Sequence, residues 1–423
     1  MGMGAGSGLA SQCAHLCDNR PMPPAHAASE ILTGAASLLA LGWLWQGLTA
    51  LRGIPTLPDL ADPKANWPEL PVNAQPDVTV VVPACNEEES IRATLNSLLA
   101  STGARLQIVA VNDRSTDRTG AIMDQIAAQT KPTANPHSLE VVHIQQLPPG
   151  WMGKAHALAT GASRTAAPWL LFTDGDMIFD PRAISLALRY ARAERADHVV
   201  LAFSLELKSI AEAAVFATFQ ALAAWNLRLW KVADSKSRAF FGAGGFNLVR
   251  RAVYEEVGGF DSLRMEVVED LRLGWRIKRA GFRQRVVLGA NLVRIRWIQG
   301  ALGIVGLLEK NGFAGMRYRT GIALLAFFGF AAQIVVPLAA IASGGWAAVA
   351  GVAVYAAIFL TYFANRRFTQ ASPWTSVLFA PATAVLLFAF ARSMLLTLKR
   401  NGVVWRGTLY PLAELRRNAG NWR

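Results

Sequence analysis

Cysteine is nearly absent from this chain, and charge is thinner than a soluble protein of its length would carry. Three cysteines, Cys13, Cys17 and Cys85, occur in 423 residues. That is too few for a disulfide framework, and Cys13-xxx-Cys17 has no second pair to complete a zinc site. Cys85 reads as a small core or pocket residue, and reduced thiols suit a cytosolic domain. Charged residues make up 17% against 52% apolar, which argues against a wholly soluble protein and places part of the chain in lipid. What charge there is leans one way: a net +13 calls for an anionic counterpart such as lipid headgroups or nucleotide phosphates. Nucleic acid is set aside, because the basic residues cluster beside apolar runs and no reader module is present.

The apolar runs divide the chain. Residues 1–29, rich in Gly, Ala, Pro and Met without periodicity, read as a disordered leader. Residues 30–51 read as a transmembrane anchor: Ile31 to Leu51 carries no charge, and a stretch of about 20 apolar residues crosses a hydrocarbon core of ~30 Å. Trp43 and Trp45 suit either a membrane interface or helix packing. A proline-rich linker follows at 52–76. Residues 77–300 read as a catalytic domain, 301–321 as an interfacial segment, 322–398 as C-terminal membrane helices and 399–423 as a basic cytosolic tail. Arg52 and Arg366-Arg367 put the catalytic domain on the cytosolic side of the inner membrane by the positive-inside rule. A complete crossing by the last span, 375–398, would leave the basic tail outside. Pro381 within that span predicts a broken or re-entrant segment that keeps the tail in the cytosol. The apolar stretch Ile210–Trp230 is too short to span and reads as a helix buried or lying at the membrane surface, the latter favoured by Trp225 and Trp230 near Arg228 and Lys231. Arg264 to Arg296 carries nine basic residues against three acidic, which suits a collar facing the leaflet.

Within 77–300, strands at Val78–Pro83, Leu106–Val111, Leu139–Ile144 and Trp169–Phe172 alternate with helices at about 87–99, 119–128 and 153–163. This pattern predicts a parallel sheet covered on both faces, with ligands bound at the carboxyl ends of its strands. Those ends carry chemistry. Asp174-Gly175-Asp176 closes the fourth strand with carboxylates at i and i+2, a pair that suits Mg²⁺ or Mn²⁺ with phosphates completing the shell; Gly175 leaves room for a diphosphate. Asn86 and Glu87 follow the first strand and Asp113 ends the second, where Asp113, Ser115 or Asp117 also suits a helix cap. Gly244 and Gly245 in Phe241–Asn247 suit close backbone approach to a ligand, assigned to the acceptor side, or to another strand. Glu269-Asp270 opens a helix, which the helix dipole favours and which also offers a catalytic acid pair.

Taken in order, Val80-Val81-Val82-Pro83-Ala84-Cys85-Asn86-Glu87-Glu88, Asn112-Asp113-Arg114-Ser115-Thr116-Asp117, Gly150-Trp151-Met152-Gly153-Lys154, Thr173-Asp174-Gly175-Asp176, Gly258-Gly259-Phe260-Asp261 and Glu269-Asp270 resemble a family 2 glycosyltransferase. The likeness is to the membrane-anchored branch that includes hopanoid-associated and ceramide-type enzymes, with a looser match at Trp405-Arg406-Gly407-Thr408-Leu409-Tyr410. The resemblance implies an α/β GT-A domain, a Rossmann-like nucleotide-diphospho-sugar transferase, flanked by N- and C-terminal transmembrane helices. It implies inverting transfer of a sugar from a nucleotide-sugar donor, a UDP-sugar foremost, to a hydroxyl or carboxyl of a membrane lipid acceptor. By the same resemblance Pro83, Cys85, Glu87, Asp113 and Lys154 would bind the nucleotide, Asp174 and Asp176 the metal, and Asp270 would be the base with Glu269 supporting it. Two departures stand out. Cys85 occupies a position that is often Arg in relatives. Val293 replaces the Gln of the Gln-x-x-Arg-Trp motif, of which Arg296-Trp297 remain, and this favours a single transfer over a processive polysaccharide synthase. A non-catalytic membrane scaffold with a degenerate nucleotide-binding domain is the reading from another class.

Overall fold

The computed structural model describes residues 24–71, 75–130, 136–223, 227–297 and 299–419. Cys13, Cys17, Trp225 and most of the leader lie outside them. Helix α1, Pro24–Gly53, begins inside the stretch read as leader and delivers the chain to the domain. There follow β1 (Val78–Ala84), α2 (Ile91–Leu99), β2 (Leu106–Asp113), α3 (Thr119–Gln129), β3 (Ser138–Ile144), α4 (Gly153–Ala162), β4 (Trp169–Phe172), β5 (Met177–Phe179), α5 (Ala183–Ala193), β6 (His198–Ala202), β7 (Ser204–Leu205) and α6 (Ile210–Ala223). The second half runs β8 (Asn247–Arg250), α7 (Arg251–Glu256), α8 (Glu269–Arg279), β9 (Gln284–Leu288) and β10 (Val293–Ile295). Beyond the domain come α9 (Gly303–Gly315), α10 (Thr320–Ser343), α11 (Gly345–Thr369), α12 (Phe379–Lys399), the hairpin β11 (Gly402–Trp405) and β12 (Thr408–Pro411), and α13 (Leu412–Asn418).

The central sheet has the order β3-β2-β1-β4-β8-β6-β9. Every residue of β1 is buried, as expected of a central strand covered on both faces. Alternation sorts its valines: Val78, Val80 and Val82 join a core with Leu95, Leu98 and Leu188, while Val81 packs with Val109, Leu158 and Phe172 on the other face. The sheet is mixed, not wholly parallel, because β8 runs antiparallel to both β4 and β6. The cause lies in the connection. The chain leaves the carboxyl rim after β6, forms α6, and re-enters through Phe241–Phe246 at that same rim, so β8 can only run back the other way. A small second sheet, β5-β10-β7, completes the domain.

Four stretches among the described residues, Ala27–Thr56, Thr320–Ser343, Gly345–Thr369 and Pro373–Lys399, are helices long and apolar enough to cross a membrane. Helices α1 and α11 pack along each other. Gly47 permits this approach, since a Cβ there would stand 3.1 Å from Leu360 and Thr361. Trp43 is fully buried and donates from Nε1 to Gln333 at 2.8 Å, so it is a packing residue; Trp45 is 60% exposed on the outer face. Of the two readings of the 210–230 stretch, the structure takes the buried one: Ala214, Val215, Phe216, Ala217, Ala221 and Leu222 of α6 are enclosed with residues of α9, α11 and α12.

Both ends of the last apolar segment touch the domain. Before it, Gln370 donates to the Ser204 hydroxyl of β7 at 2.6 Å. After it, the hairpin contacts the domain, with the Gly153 amide donating to the Tyr410 hydroxyl at 3.2 Å. Both ends of α12 therefore lie on the domain's side, and the helix runs along α9 and α6 between them. Glu309 of α9 fixes it there through Arg392 at 3.2 Å and Arg400 at 2.9 Å. The tail thus stays with the domain, though not by a break at Pro381. That proline sits in the first turn of a continuous helix, where its missing N–H leaves no intrahelical bond unmade.

Candidate active site

A cavity of about 570 Å³ opens at the carboxyl ends of β1, β2 and β4. Pro83, Cys85, Glu87, Asp113, Lys154, Asp174, Asp176, Gly244, Gly245, Glu269 and Asp270, drawn from positions nearly 190 residues apart, all line it.

The turn after β1 is tied to the loop after β2. Asn86, with φ +55°, donates its amide to Ser115 at 3.0 Å and accepts from the Thr116 amide at 2.8 Å; the Glu87 amide donates to the Thr119 hydroxyl at 2.7 Å. This presents Cys85 and the Glu87 carboxylate to the cavity. Burial pushes the Cys85 thiol up, against the pull of Arg406. Asp113 caps no helix: its two oxygens receive the Arg114 guanidinium at 2.8 and 3.1 Å. Asp117 accepts the Thr119 amide at 2.9 Å, while Arg118, the N-cap of α3, makes no side-chain capping bond.

Asp174 and Asp176 have different surroundings. Lys154, in the first turn of α4, bridges Asp174 Oδ1 at 2.6 Å and Glu269 Oε1 at 2.8 Å. Burial alone would raise the Asp174 carboxyl, but the Lys154 ammonium outweighs it and holds the group below the usual carboxylate range. Asp176 has no such partner. Its Oδ1 is buried without a hydrogen bond, and burial, then the charges of Asp174 and Glu87, push it up to about 7. An orphaned, buried carboxylate oxygen two residues from a second carboxylate fits a divalent cation, which would relieve both the desolvation and the repulsion. Among the described residues no group of three or more His, Cys, Asp or Glu stands ready to hold a metal, so Mg²⁺ or Mn²⁺ would take its remaining oxygens from a phosphorylated ligand and water.

Glu269 and Asp270 open α8, where the helix dipole favours them. Asp270 Oδ1 accepts from the Leu271 amide at 2.7 Å. Burial, followed by the neighbouring Glu269 charge and opposed by Lys154, pushes Asp270 up to about 6, within the range useful to a base near neutral pH. The glycines divide by role. A Cβ on Gly244 would stand 2.6 Å from Asp174 Oδ2 and 3.1 Å from Lys154 Nζ, so Gly244 lies directly against the Asp174–Lys154 pair. Gly245 would strike Met177 and Phe203 and is needed for packing. A Cβ on Gly175 would stand 3.3 Å from both Ala84 Cβ and the Pro83 carbonyl, so the glycine lies close against the end of β1.

Three features receive no site role from the sequence. Lys310 of α9 enters the cavity with Nζ 3.8 Å above the Trp405 ring; burial, with Lys154 and Arg406 adding to it, pushes its ammonium down to about 8. A lone lysine in the apolar run 303–315 was its only signal. Arg406, at the hairpin tip, pairs with Glu87. The third is an apolar arm of the cavity, lined by Leu205, Phe216, Phe219, Trp230, Leu307 and Phe368. It extends among α6, α9 and the end of α11 towards the apolar helices, so one chamber has a charged end and a greasy end.

A family model described as glycosyltransferase like family 2 matches residues 76–296. The chain is 28% identical over 219 residues to a probable glycosyltransferase, YdaM, of Bacillus subtilis (strain 168), covering 50% of this chain and 48% of that protein. It is 21% identical over 199 residues to a 4,4'-diaponeurosporenoate glycosyltransferase of Staphylococcus aureus (strain MRSA252), covering 47% and 50%. The chain thus spans about half the length of the curated relatives it matches. Among solved structures it is similar to the mannosyltransferase PcManGT from Pyrobaculum calidifontis, in complex with GDP-Man and Mn²⁺, with a TM-score of 0.49 at 18% identity, covering 88% of this chain and 99% of the other.

Proposed function

The chain belongs to glycosyltransferase family 2, with a GT-A domain, and from that premise we propose that it transfers a sugar from a nucleotide-sugar donor, a UDP-sugar foremost, to the hydroxyl or carboxyl of a membrane lipid, with inversion at the anomeric carbon. One observation carries the reading: the acidic cluster and the apolar arm share a single cavity. A polar donor and an apolar acceptor can meet there without leaving it. The relative named for 4,4'-diaponeurosporenoate favours the same class of acceptor.

In this account the nucleoside lies against Pro83, Cys85, Glu87 and Asp113, and the diphosphate points to Asp174 and Asp176, which would hold Mg²⁺ or Mn²⁺. The cation would supply charge compensation for the diphosphate. Lys154 keeps Asp174 ionised and ties Glu269 to it, which fixes the start of α8 and with it Asp270. When the acceptor is a hydroxyl, Asp270 takes its proton as the oxygen attacks the anomeric carbon. The bond from that carbon to the diphosphate oxygen breaks, and its electron pair leaves with the nucleoside diphosphate. The domain then sits in the cytosol against the inner membrane, where Arg52 and Arg366-Arg367 are favoured.

The test is purified full-length protein in lipid vesicles, supplied with a panel of UDP- and GDP-sugars, lipid extract, and Mg²⁺, Mn²⁺ or chelator. Release of nucleoside diphosphate from one donor, dependent on the cation and matched by a lipid heavier by one sugar, is the expected result. Background release from every donor with every lipid would refute the proposal in favour of a scaffold, and lipid-free polymer would favour a processive synthase.

A further inference from the structure

The C-terminal hairpin β11–β12 sits over the charged end of the cavity, and Trp405, Arg406 and Tyr410 line it. Trp405 pairs with Thr408, so the turn consists of Arg406 and Gly407 alone, with φ of +48° and +79°. Two-residue hairpin turns accept positive φ at both positions, but they favour Asn, Asp or Gly at the first. An arginine there is strained, and strain of this kind concentrates at sites that use it. The hairpin is positioned firmly: Gly153, beside Lys154, donates to the Tyr410 hydroxyl at 3.2 Å, and Lys310 lies 3.8 Å above the Trp405 ring. The guanidinium of Arg406 reaches Glu87. Arg406 and Lys310 line the same cavity as Asp174. No ion pair of Lys310 occurs among the described residues. Two cations from outside the sheet thus flank the space between the nucleoside wall and the Asp174 and Asp176 carboxylates.

We propose that Arg406 and Lys310 form a second anion seat, supplied by the C-terminal hairpin and α9, that grips the distal phosphate of the donor's diphosphate and of the nucleoside diphosphate left after transfer. This rests on the glycosyltransferase reading and deepens it. Glu87 pairs with Arg406. With donor bound, the guanidinium turns to the phosphate oxygens, where its planar fork matches them. As the bond from the anomeric carbon to the phosphate oxygen breaks, that oxygen gains the electron pair, and the seat compensates the new charge while the acceptor's proton goes to Asp270. Because the hairpin follows α12, which lies against α6 and α9 beside the apolar arm, donor binding is thereby linked to the acceptor end of the chamber.

The experiment compares binding of UDP, GDP, UMP and GMP to the full-length protein in detergent, by calorimetry, for the wild type and for Arg406→Gln, Arg406→Lys and Lys310→Gln. The better-bound base is carried forward. Arg406→Gln and Lys310→Gln should each weaken nucleoside diphosphate at least tenfold and nucleoside monophosphate less than threefold, with Arg406→Lys intermediate. Retained monophosphate binding shows that each variant is folded. A hydrogen-exchange readout accompanies it: nucleoside diphosphate should slow amide exchange across 402–411 in the wild type and fail to do so in Arg406→Gln. If wild type binds the diphosphate and both Gln variants bind it equally well, or lose monophosphate in proportion, the anion seat is refuted and the transferase reading stands. If wild type binds no nucleoside diphosphate, both fall.

Discussion

In the proposed transfer, Asp270 is the residue that takes the acceptor's proton. Asp270→Asn keeps the shape of the helix start but cannot take a proton, so transfer to a hydroxyl should fall by about 10²–10⁴, the usual worth of a positioned base, while nucleoside diphosphate binding stays within about threefold. Turnover of the variant at wild-type rate would move the base elsewhere. The pH dependence follows from its elevated position near 6. A base acts only when ionised, and the ionised fraction falls as pH drops through that value, so kcat/KM should be lost on the acid side with a limb near pH 6. This limb should vanish in Asp270→Asn. A profile flat from pH 5 to 8 in the wild type would contradict it. Sequence made the acidic residues legible because Asp-Gly-Asp, Asn-Asp and Glu-Asp each sit where a strand ends or a helix begins, and those places are set by local pattern. It could not assign Gly175 and Gly245, whose neighbours Ala84 and Phe203 come from other elements. Gly244 is the informative case. Gly244→Ala brings a Cβ to 2.6 Å of Asp174 Oδ2, so it should lower turnover tenfold or more by displacing the carboxylate, with thermal unfolding of the domain little changed. Full activity would show that the loop yields.

At the scale of elements, strands and helices of the first half were readable because each carries its own period, and the buried valines of β1 announced a doubly covered strand. Two things were not. The direction of β8 depends on where the chain re-enters the sheet after α6, which no local pattern encodes. The course of α12 depends on what both of its ends touch, Ser204 through Gln370 on one side and Gly153 through Tyr410 on the other. Composition alone gives a spanning helix. The difference is measurable. With the native cysteines replaced, single cysteines at Arg367 and Asn401 should label from one side of sealed vesicles, and one at Gly344 from the other. Labelling of Asn401 from the side of Gly344 would mean that α12 crosses.

For the molecule as a whole, the arrangement is a GT-A domain whose ligand rim faces a bundle of apolar helices. The cavity joins the two. Its charged end was foreseen and its apolar arm was not, because the arm is assembled from β7, α6, the turn at Trp230, α9 and α11, each contributing one or two side chains that read as ordinary core. The arm gives the account its sharpest handle: Leu307→Trp adds bulk there and should abolish transfer to lipid while leaving donor binding intact. The most direct measurement uses wild type, Asp270→Asn and Leu307→Trp in vesicles with a sugar-labelled donor identified by the panel, followed by extraction into organic solvent. Label should enter the organic phase with wild type and with neither variant, although all three bind the nucleoside diphosphate. Label that stays in the aqueous phase with wild type, or reaches lipid equally well in Asp270→Asn, would contradict the claim that this one cavity joins a nucleotide sugar to a membrane acceptor.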